Sequence, residues 1–141
     1  MVQEGNVREF RPRVPETEKL TVNLGLVDLG HVDLLVQEGF YSNRTDFIRT
    51  AIRNQLGRHA EAVSQSLSRR QLDLGLRQFT TEELERARRS GEKLRIQVLG
   101  LAIIAPDVTP ELALASIERI EVLGALQASA AVRAALADRI Y

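Results

Sequence analysis

Three polar side chains near the N-terminus recur at every second position and are of types that hydrogen-bond to DNA bases. They are Lys19, Thr21 and Asn23. The intervening positions are apolar: Leu20, Val22 and Leu24. Side chains alternate across a strand, so a strand over residues 18–24 has one polar and one apolar face. Because a lone strand leaves its backbone groups without partners, we expect the same strand of a second copy beside it. Such a two-stranded ribbon fits the DNA major groove.

Two short amphipathic helices are predicted after this strand. Asp28 is the expected N-cap of the first helix, and Glu38-Gly39 its expected end. Ser42 is the expected cap of the second helix, with Asp46 in its first turn. The predicted apolar stripes are Leu29, Val32, Leu35 and Val36, then Phe47, Ile48, Ala51, Ile52 and Leu56.

The order strand, helix, helix, with the run GFYSNRTDFIRTAI at residues 39–52, resembles the ribbon-helix-helix family of MetJ, Arc and CopG-like repressors. The resemblance covers residues 18–58 and implies an intertwined dimer that reads bases through the outward strand residues named above. It also implies that the start of the second helix clamps a DNA phosphate through Ser42, Asn43 and Arg44. A helix start favours an anion on physical grounds as well, through its free N–H groups and dipole. Gly25 departs from the pattern, because many relatives have a proline after the strand.

Plainer interpretations stay open for the same residues. An alternating strand with Lys, Thr and Asn outward is most often a solvated sheet face, and Arg44 could be an ordinary surface charge. Ser42 could be a cap alone, although capping and phosphate binding are compatible at one helix start.

Composition narrows the classes of function. The 141 residues include no cysteine, so a disulfide framework and a thiolate metal site are excluded. The two histidines, His31 and His59, lack ligand-like spacing, and no nucleophile motif or phosphate-binding glycine loop is present. We therefore expect neither an enzyme nor a bound cofactor or metal. No apolar run reaches the length of a membrane span, which predicts a cytoplasmic, nucleoid-associated protein.

The equal numbers of acidic and basic residues predict weak nonspecific DNA binding. Net charge is +0, so attraction to phosphates should be modest. Residues 1–17 are predicted to be a flexible arm that carries Arg8, Arg11 and Arg13. The arm could follow the DNA backbone or enter a minor groove, or it could be a disordered tail.

The second half of the chain is repetitive. RIQVLGL at residues 95–101 matches RIEVLGA at 119–125, and a weaker copy, LDLGL, lies at 72–76. A short helix is expected after each strand. The predicted helix caps are Thr80, Thr109 (with Pro110 at the first helical position) and Ser129.

One strand and one helix per unit at this period is typical of a solenoid, whose units must stack to bury their apolar faces. We expect an exposed outer face that includes Val122, Leu123 and Leu126, and hence self-association of this half. The alternative is a closed, compact α/β domain.

The predicted fold class is thus α+β: an N-terminal ribbon-helix-helix dimer and a C-terminal, small α/β solenoid-like repeat. The predicted domains are a 1–17 arm, an 18–58 DNA-binding domain, a 59–70 linker or helix extension, and a 71–141 oligomerisation domain. The leading functional hypothesis is a sequence-specific transcriptional regulator bound to double-stranded DNA as a homodimer or higher homo-oligomer. A self-assembling scaffold or DNA-partition protein is the alternative. An antitoxin is a weaker one, because a toxin-binding tail is usually disordered whereas this half is predicted to fold.

Overall fold

The computed structural model describes residues 16–141 and contains, within them, six α-helices and a three-stranded sheet. The chain divides into two compact units, Met1–Ala51 and Ile52–Tyr141, whose boundary lies inside the second helix. None of the helices over residues 16–141 is long and apolar enough to cross a membrane.

The first helix, α1 (Leu26–Gln37), begins earlier than expected. Its N-cap is Gly25, with extended backbone and no side-chain hydrogen bond, so the prediction that Asp28 caps this helix is wrong. The Gly25 carbonyl already accepts from the Leu29 N–H at 3.0 Å, which makes Leu26 helical and leaves Asp28 in the first turn. There its carboxylate still favours the helix through the dipole.

The end of α1 follows the prediction. Gly39 has φ +87°, and the Phe40 N–H donates to the Leu35 carbonyl oxygen at 3.0 Å. A glycine in the left-handed region with these backbone bonds is a common helix terminus. The chain therefore turns sharply between α1 and the next helix.

The second helix, α2 (Arg44–Arg58), is capped by Asn43, so the prediction that Ser42 caps it is wrong. Asn43 Oδ1 accepts from the Asp46 N–H at 2.8 Å, and the Asp46 carboxylate accepts from the Ser42 N–H at 2.9 Å. This arrangement is a variant of the capping box: Asn43 satisfies the N–H of the third helical residue, and Asp46 satisfies the N–H of the residue before the cap. Asn43 and Asp46 have that spacing, whereas Ser42 lies one residue too early.

The C-terminal unit alternates strands and helices, as the repeat predicts. Its elements after α2 are α3 (Ala60–Arg70), β1 (Asp73–Phe79), α4 (Thr81–Ser90), β2 (Leu94–Ile104), α5 (Pro110–Ser116), β3 (Ile117–Gln127), α6 (Ala130–Ala135) and a 3₁₀ turn (Ala137–Arg139). The three predicted caps are confirmed, because Thr80, Thr109 and Ser129 each accept a hydrogen bond from the N–H three residues on.

The strands form a parallel sheet in the order β1-β2-β3. The repeats lie side by side, with Arg95 aligned to Arg119. One core cluster unites alternate residues of the sheet with apolar residues of the following helices. It includes Ile96, Val98, Ala102 and Ile104 of β2, Ile120 of β3, and Leu84, Leu112, Val132 and Leu136 from the helical side. The helices thus cover one face of the sheet.

Strand alternation places the other apolar side chains on the opposite face. The register sets Leu74, Leu99 and Leu123 in one row, and Leu76, Leu101 and Ala125 in the next. Leu123 is exposed as predicted, at 44%, but the prediction that Val122 and Leu126 are exposed with it is wrong. Both are half-buried against the core, because they alternate with Leu123 and so face the helices.

Each of the three strands has a glycine, and the three glycines lie side by side across the sheet. Gly75, Gly100 and Gly124 are aligned across the three strands, with φ of +116°, +139° and +123°. A Cβ on Gly100 would lie 2.2 Å from the Gly75 carbonyl oxygen, and one on Gly124 would lie 2.0 Å from that of Gly100. The leucine-glycine motif of the repeat is therefore a steric requirement of strand packing at this level.

Candidate nucleic-acid interface

The three predicted base-reading residues lie in a segment without helix or strand in the single chain. Lys19, Thr21 and Asn23 are exposed, and so are the residues that alternate with them. Leu20, Val22 and Leu24 are 79%, 70% and 45% exposed. Both faces of the predicted strand are thus open to solvent in one chain.

The helices of the N-terminal unit are also poorly covered. Val32 is the buried apolar side chain among residues 16–51. Large apolar side chains stand exposed on both helices and their connection: Leu26, Val27, Leu34, Phe40, Ile48, Ile52 and Leu56. Apolar exposure concentrated in this way is typical of surfaces that bind another protein, a membrane or a ligand.

Arg44, the predicted phosphate ligand, already holds an anion. Its Nε and Nη2 donate to the two carboxylate oxygens of Asp33 on α1, each at 2.8 Å. The hydrogen bond from Arg44 lowers the pKa of Asp33 below its ordinary value, because it stabilises the charged carboxylate. A bidentate grip on a carboxylate uses the same guanidinium geometry that grips a phosphate.

The other two predicted phosphate ligands are adjacent to Arg44 and are engaged as well. The Ser42 N–H donates to the Asp46 carboxylate, and Asn43 uses its side-chain oxygen as the helix cap. The start of α2 therefore presents N–H groups and a guanidinium, with two carboxylates, Asp33 and Asp46, beside them. In the single chain these donors bind the chain's own carboxylates.

The possible arm contacts Arg8, Arg11 and Arg13 lie outside the described residues. Within residues 16–141, no group of three or more His, Cys, Asp or Glu side chains is placed to hold a metal ion.

The sequence profile of the Ribbon-Helix-Helix transcriptional regulator family matches residues 15–133. The chain belongs to this family. Because the match spans most of the chain, it includes the three strand–helix units as well as the N-terminal residues that carry the motif. No curated protein and no solved structure matched the chain significantly. Members of this family are transcriptional regulators, so this ribbon-helix-helix protein is a DNA-binding regulator of transcription.

Two residues at the site of this ribbon-helix-helix regulator were missed from sequence. Asp46 was predicted only to place a charge in the first turn, although an acidic residue three positions after Asn43 is a local signal for a capping interaction. Asp33 carries no such signal, because its contact with Arg44 joins two helices and depends on how the turn between them folds.

Proposed function

We propose that this ribbon-helix-helix regulator binds specific DNA sequences through a ribbon made by residues 18–24 of two chains. Lys19, Thr21 and Asn23 would read base edges from the outer face of that ribbon. The observation that carries the proposal is that the alternating residues Leu20, Val22 and Leu24 are exposed in the single chain. A paired strand, packed on the exposed apolar residues of both helices, would cover them and satisfy the open backbone groups.

The phosphate contact is proposed for the start of α2. Ser42, Asn43 and Arg44 would face the DNA backbone, with the helix dipole favouring the anion. Support comes from the bidentate hold of Arg44 on Asp33, since that geometry is transferable to a phosphate. Arg8, Arg11 and Arg13 would add contacts to the same backbone or to a minor groove.

We further propose that the C-terminal repeat joins dimers into larger homo-oligomers in a solenoid-like manner. A chain with net charge +0 gains little nonspecific affinity per dimer, and multivalent binding compensates for that. We propose that this regulator acts in the cytoplasm as a nucleoid-associated protein.

Selection of DNA sites from random duplexes, followed by affinity measurements on variants, tests the reading face. Lys19→Ala and Asn23→Ala should each cost about 1–3 kcal/mol on the selected site, and should relax sequence preference at one base position. Arg44→Ala should weaken binding to every duplex alike and reduce its salt dependence. Glu18→Ala is the control, because it alters the same segment at an exposed position outside the three proposed readers. Unchanged site preference in both Lys19→Ala and Asn23→Ala would show that the reading face is misassigned.

A second candidate function is favoured by the parallel sheet, both of whose outer strands carry exposed leucines. Leu74 and Leu76 are exposed on β1, and Leu123 on β3. A scaffold or DNA-partition protein would use such edges for large assemblies, with the N-terminal unit as a DNA tether. It predicts large particles without DNA and a selection that returns no preferred sequence, whereas a regulator returns a defined site.

A further inference from the structure

The two outer strands of the sheet differ in how much of their edge the chain itself covers. At β3 the chain's own terminus returns to the sheet: Ile140 pairs in parallel with Ile120, and the Tyr141 N–H donates to the Ile120 carbonyl oxygen at 2.8 Å. Among the described residues, the sheet continues no further beyond β3, and β1 is the outer strand on the other side. One edge of the sheet is thus open along β1, and the other along β3 after Glu121.

The open part of β3 matches β1 in register and in position. Val98 of β2 is aligned with Asp73 on one side and with Val122 on the other. A second β1, added outside β3 with the same register, would therefore begin at Val122. The described pairing of Ile140 is with Ile120, two residues before that point.

The side chains of the two open edges continue the same rows. On the face away from the helices, Leu123 of one copy would lie beside Leu74 of the next and extend the row that includes Leu99. Leu74 is 71% exposed and Leu123 is 44% exposed in the single chain. Cross-strand apolar pairs of this kind are the unit of sheet stabilisation.

Gly75 points to the same neighbour. It shares the positive φ of Gly100 and Gly124, whose absent Cβ atoms make room for the carbonyl oxygen of the preceding strand. At Gly75 nothing lies within 4 Å of the corresponding position. The β1 edge thus has the backbone that accommodates a neighbouring glycine strand, and the chain itself has none to place there.

We infer that β3 of one copy pairs in parallel with β1 of a second copy, head to tail, with Gly124 of the first beside Gly75 of the second. The inference rests on the assembly role proposed above and names its surface and its partner, a second copy of this chain. The contact is heterologous, because the two copies use different strands, so it generates open rows or rings of sheets. Combined with dimers held by their ribbons, it would cross-link the dimers into chains.

Two variants of the full chain test the pairing, with mass measured by light scattering after size separation. Leu74→Lys alters the β1 edge and Leu123→Lys the β3 edge, and a lysine on an edge strand opposes strand addition. Leu114→Lys is the control, because Leu114 is an exposed leucine on α5 and not on an edge strand. We expect the parent and the control to form large species, and each edge variant to fall to the mass of the ribbon-held dimer. The second pair of variants, Leu76→Lys and Ala125→Lys, repeats the test in the adjacent row if either first variant unfolds by circular dichroism.

Mixing the two edge variants decides between head-to-tail and symmetric pairing. The Leu74→Lys protein keeps an intact β3 edge and the Leu123→Lys protein an intact β1 edge, so an equimolar mixture should again form larger species. A mixture that stays at the mass of its components, or a parent no larger than the variants, overturns the inference. If the two chains do not pair through residues 18–24, the result differs: each edge variant would have the mass of one 15.7 kDa chain, and the mixture would form pairs.

Discussion

At the start of α2, the proposed DNA-contacting arginine is held by an acidic partner in its own chain. Both carboxylate oxygens of Asp33 accept from Arg44 at 2.8 Å, and both side chains are about half exposed. A DNA phosphate at this position would have to displace the carboxylate or lie next to it. If Arg44 contacts a phosphate as proposed, Asp33 would oppose that contact on DNA of any sequence.

We predict that Asp33→Asn strengthens binding to duplexes of any sequence several-fold and leaves the affinity ratio between the selected site and other DNA unchanged, because a phosphate contact is independent of sequence. The freed guanidinium should make log affinity fall more steeply with log salt, by up to about one unit of slope. Asp28→Asn is the control, since it removes the same charge from the same helix at a position without a described ion pair. Salt-dependent affinity measurements decide the matter. Equal effects of the two substitutions would mean that only net charge matters, and weaker binding by Asp33→Asn would make Asp33 a support that positions Arg44.

The elements of this chain differ in how far local sequence determines them. Thr80, Thr109 and Ser129 cap helices as expected, because each hydroxyl lies three residues from the N–H that it accepts from. The prediction for Ser42 was wrong because Asn43, the next residue, accepts from the Asp46 N–H, and the Ser42 N–H donates to the Asp46 carboxylate. Local patterns thus find helices and strands but rank competing caps poorly.

Features that join distant residues were less accessible to prediction. The 24-residue offset between Arg95 and Arg119 gave the strand units, since parallel strands of a repeat align equivalent residues. This offset does not show which face of the sheet the helices cover. Val122 and Leu126 were therefore predicted to be exposed, although they pack against the core. The ribbon over residues 18–24 stays a prediction, because its hydrogen bonds would belong to two chains.

The three aligned glycines of the sheet should differ in how well they tolerate substitution by alanine. Gly100→Ala and Gly124→Ala should each unfold the C-terminal unit or lower its stability by more than about 3 kcal/mol, because the new Cβ meets a carbonyl oxygen at 2.2 or 2.0 Å. Gly75→Ala has the strain of its positive φ without that collision, so about 1–3 kcal/mol is expected. Urea unfolding of the three variants at low protein concentration provides the comparison. Equal losses for all three would show that backbone strain alone explains the glycines.

For the whole molecule, the neutral charge and the repeat have a joint consequence. A dimer of this chain would have little nonspecific attraction to DNA, so occupancy of a regulatory region should depend on contacts between neighbouring dimers. The edge contact between β3 and β1 would supply those contacts while the N-terminal units hold adjacent sites. Reading and assembly are then separable by substitution, although both are needed for tight binding.

Binding to DNA with one copy of the selected site can be compared with binding to DNA with two adjacent copies. We expect the parent to bind two adjacent sites cooperatively, with at least about tenfold tighter overall binding than the single site predicts, because the second dimer binds next to one already held. Leu123→Lys should keep its affinity for one site and lose the cooperativity. Leu114→Lys carries the same added charge on α5 and should keep both, which separates assembly from simple attraction to DNA. Footprinting on the two templates measures the difference. Cooperativity that persists in Leu123→Lys would assign the contact between dimers to the N-terminal units and leave the sheet edges without a role on DNA.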